Sequence, residues 1–189
     1  LISDMYREDL ADKTLRGLKG RALAGYSAGG LAYGYRTVHE TTPDGRTIGA
    51  RLEIHEEQAA VVRRIFEMYL NGRSLAVIAK TLNDEGIPQP RARTRHECRG
   101  WIANSIRSIL HNDRYTGAWS FNKRMWVRDP FTGKKRPQMR PDKDVIYTDH
   151  PELRIVDPET WQAAQERASG VKAYYTRNAD GTPKGRAVP

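Results

Sequence analysis

One cysteine, Cys98, stands alone in 189 residues. Its isolation excludes an internal disulfide framework and any zinc site built from several cysteines within these residues. Long apolar runs are missing too. No stretch approaches the roughly eighteen consecutive apolar residues of a membrane-spanning helix, and none has the layout of a signal peptide, so no membrane partner and a cytoplasmic location are expected. Proline is absent from residues 1–24, and acid is absent from residues 13–36. The first absence permits an unbroken helix; the second makes the end of that helix and the residues after it uniformly cationic.

What is present is basic charge, unevenly placed. There are 32 Lys and Arg against 23 Asp and Glu, a net charge of +9. Residues 1–12 carry Asp4, Glu8, Asp9 and Asp12 against Arg7, whereas residues 13–36 carry Lys13, Arg16, Lys19, Arg21 and Arg36. Early acid and late base suit the dipole of one helix. Between residues 91 and 140, thirteen Lys and Arg face Glu97, Asp113 and Asp129, so this window is +10. A charge run is commonly just a solvated face, but one-signed runs on either side of a compact middle favour a polyanion, above all nucleic acid.

With 38% hydrophobic and 29% charged residues the chain reads as one globular domain with appendages. Its middle has the clearest pattern. In EEQAAVVRRIFEMYLNG, Val62, Ile65, Phe66, Tyr69 and Leu70 repeat at helical spacing, and Asn71-Gly72 closes the helix. Ser74 is a cap for a second helix carrying Leu75, Ile78, Ala79 and Leu82, stopped by Gly86, with Pro88 and Pro90 forbidding continuation. After an arginine-rich loop, Ile102, Ile106, Ile109 and Leu110 mark a third helix. These helices form a helix-turn-helix-like set with an enlarged turn: Leu75 to Glu85 supports, and Ala103 to His111 reads. The outer face of the third helix offers Asn104, Ser105, Arg107, Ser108 and His111, short polar and guanidinium groups able to reach base edges and phosphates, with no acid among them.

Strands are expected over residues 31–38 and 48–54 around the turn TPDGR, and GAWSFNKRMWVRD is expected to continue that sheet, with Trp119 and Phe121 turned inward. A basic, proline-punctuated loop comes next, from Pro130 to Asp144. Asp157-Pro158-Glu159 opens a last helix through Arg167, and a linker completes the chain. The fold class is α+β: a helical core with a small antiparallel sheet, preceded by a helix and an extended connector. Tyr33 and Tyr35 read as core aromatics of the first strand.

The order of the parts resembles the DNA-binding region of a large serine recombinase, the serine integrase and transposon resolvase type. The resemblance runs through GRALAGYSAGGLAYGYR, LEIHEEQAAVVRRIFEMYLNGRSLAVIAKTLNDEGIP, WIANSIRSILHNDRYTGAWSFNK and VDPETWQAAQER, covering most of residues 1 to 168. It implies that residues 1–24 end a helix connecting from a catalytic domain, 25–32 form a linker tracking the minor groove, and 33–168 form the recombinase DNA-binding domain. Residues 169–189 would lead toward a zinc-ribbon domain.

The implied partner is double-stranded DNA, one half of an attachment site. The resemblance implies a bacterial or phage-encoded protein associated with the nucleoid, whose parent is dimeric on a site and tetrameric in synapsis. Nothing in the sequence resembles the catalytic serine region, so this stretch is expected to bind rather than cut. The expected contacts are Lys13, Arg16, Lys19, Arg21 and Ser27 in the helix and linker, and Arg91, Arg93, Arg95 and Arg99 in the loop. Asn104, Ser105, Arg107 and Ser108 on the third helix, and Lys123 and Arg124 after it, complete the set. The sequence departs from the family pattern in lacking a proline before Tyr33 and in placing Ile102 where a small capping residue is usual.

No cofactor and no metal are expected. His96, Cys98 and His111 lack a fourth ligand, and helix starts explain Asp157 with Glu159 and Glu56 with Glu57. Two other readings stand: a helix-turn-helix transcription regulator, and an interaction module whose basic face meets an acidic protein.

Overall fold

The computed structural model describes residues 2–27, 30–90, 100–177 and 183–186. The acid-to-base gradient becomes the 22-residue helix α1 (Ile2–Leu23), whose apolar residues gather into no stripe. A helix polar all round has no face it must bury against its own domain. It ends in a Schellman turn: Gly25 takes φ +76°, Tyr26 donates its N–H to the Arg21 carbonyl at 2.9 Å, and Gly25 donates to Ala22 at 3.1 Å.

The chain forms two compact units, Leu1–His55 with Gly117–Arg154 and Glu56–Thr116 with Ile155–Pro189. In the first, β1 (Tyr35–Thr41) and β2 (Thr47–Ile54) make the expected hairpin, Tyr35 opposite Ile54. Gly45 supplies the positive φ that the Asp-Gly turn needs. The first strand starts at Tyr35 rather than residue 31, because Gly34 at φ +96° turns the chain just before it.

The sheet does not continue through GAWSFNKRMWVRD. Two further antiparallel pairs form instead: β3 (Ala118–Phe121) with β6 (Ile146–Asp149), and β4 (Arg124–Arg128) with β5 (Lys135–Met139). Asn122, in the left-handed region at φ 67°, breaks the chain between β3 and β4. The loop expected from Pro130 to Asp144 is thus in part strand β5. Trp119 and Phe121 are half-buried. Tyr35, 2% exposed, anchors this unit, donating its hydroxyl to the Leu153 carbonyl at 2.9 Å and meeting Trp119 edge-on at 6.0 Å.

The second unit carries α2 (Glu56–Leu70), α3 (Leu75–Asp84), α4 (Ala103–Leu110) and α5 (Pro158–Tyr174). Ser74 caps α3 by accepting the Val77 N–H, and Gly86 turns the chain out at φ +67°. Val62, Ile65, Phe66, Ile78, Leu82 and Ile106 are fully buried together with Tyr115, which packs edge-on against Phe66 at 6.5 Å. The Tyr115 carbonyl accepts N–H groups from both Ile155 and Val156 at 2.9 Å, joining the returning chain to the core. Asp157 caps α5 through the Thr160 N–H at 2.8 Å and hydroxyl at 2.6 Å. Those two bonds, the hydroxyl first, hold its carboxyl below the ordinary carboxylate range. Beyond Arg167, α5 runs on to Tyr174, and β7 (Tyr175–Arg177) pairs with β8 (Pro183–Arg186). No proline between residues 168 and 182 stops the helix earlier.

Candidate nucleic-acid interface

Helix α4 buries Ile106, Ile109 and Leu110 and turns Asn104, Arg107 and Ser108 outward. The spacing i, i+3, i+4 puts these three side chains on one face. Ser105 is half-buried at its edge. Among the described residues, neither the Asn104 carboxamide nor the Arg107 guanidinium makes a hydrogen bond or ion pair. Toward the described residues both leave their full hydrogen-bonding capacity unused. Ser108 is more committed, since its hydroxyl donates to the Asn104 carbonyl at 2.9 Å and keeps only acceptor capacity.

His111 does not share that freedom. Its Nδ1 lies 2.9 Å from Gln165 Oε1, and the same glutamine donates Nε2–H to the Leu110 carbonyl at 2.6 Å. Gln165 therefore fastens the end of α4 to α5, satisfying a carbonyl that a helix terminus leaves open.

The start of α4 is fixed differently. Ile102 occupies the cap position, 54% exposed, with no side-chain cap bond; its carbonyl accepts the Ser105 N–H at 2.9 Å and the Ile106 N–H at 3.3 Å, but its side chain offers the N–H groups of Ala103 and Asn104 no acceptor. What holds the helix in place is Trp101, 2% exposed. Its backbone N–H donates to Asn83 Oδ1 at 2.6 Å, its carbonyl accepts Asn83 Nδ2 at 2.8 Å, and its indole N–H donates to the Ile87 carbonyl at 2.9 Å. Gly100, at φ +87°, passes so close to Asn83 Oδ1 that a Cβ there would collide with it. The Asn83 and Trp101 pair ties the end of α3 to the beginning of α4, closing the enlarged turn. Arg91, Arg93, Arg95 and Arg99, with His96 and Cys98, lie outside the described residues.

Two other cations of this unit are taken up structurally. Arg64 makes a two-pronged pair with Glu85 at 2.5 and 2.6 Å, and Arg63 donates to the Ile155 carbonyl at 3.1 Å. The hydrogen bond to Arg64 lowers the Glu85 carboxyl, and its counterpart raises Arg64.

In the first unit, Arg36 pairs with Glu53 at 2.8 Å and Arg51 with Glu40 at 2.5 Å. Along α1, Lys13 pairs with Asp9 at 2.7 Å, both largely exposed, a contact of little energetic weight that a phosphate can replace. Arg16, Lys19 and Arg21 make no ion pair among the described residues. Ser27 is less free than the linker reading expects: its N–H donates to Ala50 at 2.7 Å. Tyr26 beside it lies against Gly49, where a Cβ would come within 2.5 Å of the ring. The Tyr26 hydroxyl donates to Glu40 at 3.0 Å, and Arg51 stacks on its ring at 5.0 Å. The connector thus begins docked on the hairpin. Tyr33 is half-buried, and that burial raises its phenol. Lys123 is half-buried and Arg124 exposed at the start of β4.

Sequence reasoning missed Asn83, Trp101, Gln165 and Tyr26. For Trp101 one signal was available: a lone tryptophan directly before a helix, at the end of an otherwise polar loop.

Among the described residues no group of His, Cys, Asp and Glu could hold a metal ion, and no helix is long and apolar enough to cross a membrane. A family model described as Recombinase matches residues 56–171. The fold is similar to that of a chain in the crystal structure of an LSR–DNA complex, with a TM-score of 0.54 at 20% identity over 86% of this chain. A structure concerned with the sequence requirements of the Listeria innocua prophage attP site also matches, with a TM-score of 0.47 at 21% identity over 83% of this chain. The chain spans 40% and 51% of the length of these two matched chains, respectively.

Proposed function

This chain belongs to the recombinase family, and from that premise we propose that it grips double-stranded DNA at one half of a recombination site, as part of a large serine recombinase. The observation that carries this reading is the outer face of α4. Asn104 and Arg107 stand there unpaired among the described residues, held by a core on one side and by the Asn83–Trp101 and Gln165 clamps at either end. An amide and a guanidinium on a rigid helix are the groups that read adenine and guanine edges in a major groove. Ser105 and Ser108 accompany them, and the first two N–H groups of α4, which no cap side chain from Ile102 takes up, are offered to a phosphate.

Affinity comes from elsewhere. Lys13, Arg16, Lys19 and Arg21 along α1 neutralise phosphates, and Arg91, Arg93, Arg95 and Arg99 contact the backbone or form a second reading loop. Because Tyr26 and Ser27 are docked, residues 30–32 carry the minor-groove part of the connector. Strand cleavage, through a covalent serine–DNA intermediate, belongs to a catalytic region outside this sequence, in a parent that is dimeric on each site and tetrameric in synapsis. The fold shared with the LSR chain, of which this chain spans 40%, supports that division.

Selection from a randomised duplex library at near-physiological salt tests the reading. A compact, asymmetric motif should be enriched; a pool that stays random would overturn it. Lys19→Ala should weaken binding to the selected and scrambled duplexes equally and lower the slope of log affinity against log salt by about one unit, read from a titration series. A loss confined to the selected duplex would place Lys19 among the reading residues instead.

A further inference from the structure

The β4–β5 hairpin has no buried face. Of its ten strand residues all but Met125 are exposed, Trp126 at 68% and Met139 at 55%, and Phe131 in its turn is 98% exposed. A two-stranded ribbon without a packed face is marginal by itself. Its register sets Arg124 opposite Met139, Trp126 opposite Pro137 and Arg128 opposite Lys135, so one face carries an indole flanked by three cations. Arg128 and Lys135 are like charges directly across the ladder, an arrangement that destabilises a free hairpin.

Charge along the ribbon is one-signed. Residues 123–140 contain seven Lys and Arg and one acid, Asp129. That carboxylate is spent on its own turn: it accepts the Phe131 N–H at 2.9 Å and the Thr132 N–H at 3.1 Å, and lies 3.4 Å from Arg136. The bonds from Thr132 and then Phe131 hold it below the ordinary carboxylate range, so it stays charged and turned into the loop. Arg128, Lys134 and Lys135 make no ion pair among the described residues.

A second copy of the chain would bring the same positive ribbon and the same net charge of +9, and is repelled. A DNA duplex relieves the Arg128–Lys135 opposition, accepts the cations along its phosphates and offers sugar walls to the exposed rings.

We infer that the β4–β5 hairpin is a DNA-grasping arm, a contact additional to those of α1 and α4. Its basic Trp126 face lies along the sugar–phosphate backbone and Phe131 enters a groove at the tip. The inference rests on the DNA reading above. It concerns sequence-independent grip, so its loss should leave the selected motif intact.

The test uses the full chain carrying Arg128→Ala, Lys134→Ala and Lys135→Ala together, with Trp126→Ala and Phe131→Ala as separate variants. The triple variant should bind the selected duplex roughly tenfold or more weakly, with a salt slope lower by about 2 to 3 units. Its preference over a scrambled duplex should be unchanged. Each aromatic variant should lose affinity without a change of slope, and hydroxyl-radical protection should shrink while protection of the motif persists. The triple variant should melt no lower than the parent, since the like-charge pair is gone. Unchanged affinity and slope, with the unaltered chain still binding its motif, would overturn the arm alone. Variants that alter only self-association in sedimentation would likewise overturn it. No motif binding by the unaltered chain would overturn both the arm and the DNA reading.

Discussion

Replacing Trp101 with alanine should destabilise the second unit by about 3–5 kcal/mol, the range for truncating a large buried aromatic. The residue is 2% exposed and its indole N–H holds the Ile87 carbonyl at 2.9 Å, so the substitution opens a cavity and strands an acceptor together. Against a typical total of about 5–15 kcal/mol, a loss of this size removes much of the stability. Urea titration followed by far-ultraviolet circular dichroism reads it. Trp101→Phe separates the two contributions, because it refills much of the volume while leaving the carbonyl unpaired, and should lose about 1–3 kcal/mol. A change under about 1 kcal/mol for the alanine variant would show that Trp101 does not hold the start of α4, contrary to its packing.

Arg107→Ala should have the largest effect on discrimination. A guanidinium bonded two ways to a guanine contributes about 1–3 kcal/mol of preference for the right base, so the affinity ratio between selected and scrambled duplexes should fall roughly 5- to 150-fold. Stability should be almost unchanged, since Arg107 is exposed and makes no ion pair among the described residues. Competition titrations at fixed salt measure the ratio. Equal weakening on both duplexes would make Arg107 a phosphate contact and move sequence reading to another residue.

These two residues also mark how far the sequence could be read. Helices α2, α3 and α4 were legible because their apolar residues recur at helical spacing and because Ser74 and Gly86 are local punctuation. The outward placement of Asn104 and Arg107 comes from the same periodicity. The Trp101 clamp was not legible, because its partner Asn83 lies 18 residues away and no local pattern reports such a contact. His111 sits at the right spacing for the reading face, yet Gln165, 54 residues on, takes up its ring. Of the β4–β5 ribbon, β4 fell within the stretch expected as strand, though in another sheet, while β5 was hidden by Pro130, Pro137 and Pro141, which read as loop signals. Each strand of a two-stranded ribbon has an unpaired edge, so Pro137 can lie opposite Trp126 without removing a ladder bond. Tyr26 looked like part of a bare connector because its contact with Gly49 depends on how the hairpin folds back, not on neighbouring residues.

Recognition of a half-site is tested most directly by the affinity of the unaltered chain for its selected duplex and for a scramble of it, compared across a salt series. Reading by α4 predicts a ratio of about a thousand or more that persists as salt rises, while both affinities fall together with the slope set by the phosphate contacts. Equal affinities at every salt concentration would mean that the basic residues act alone, and would contradict sequence recognition by this chain.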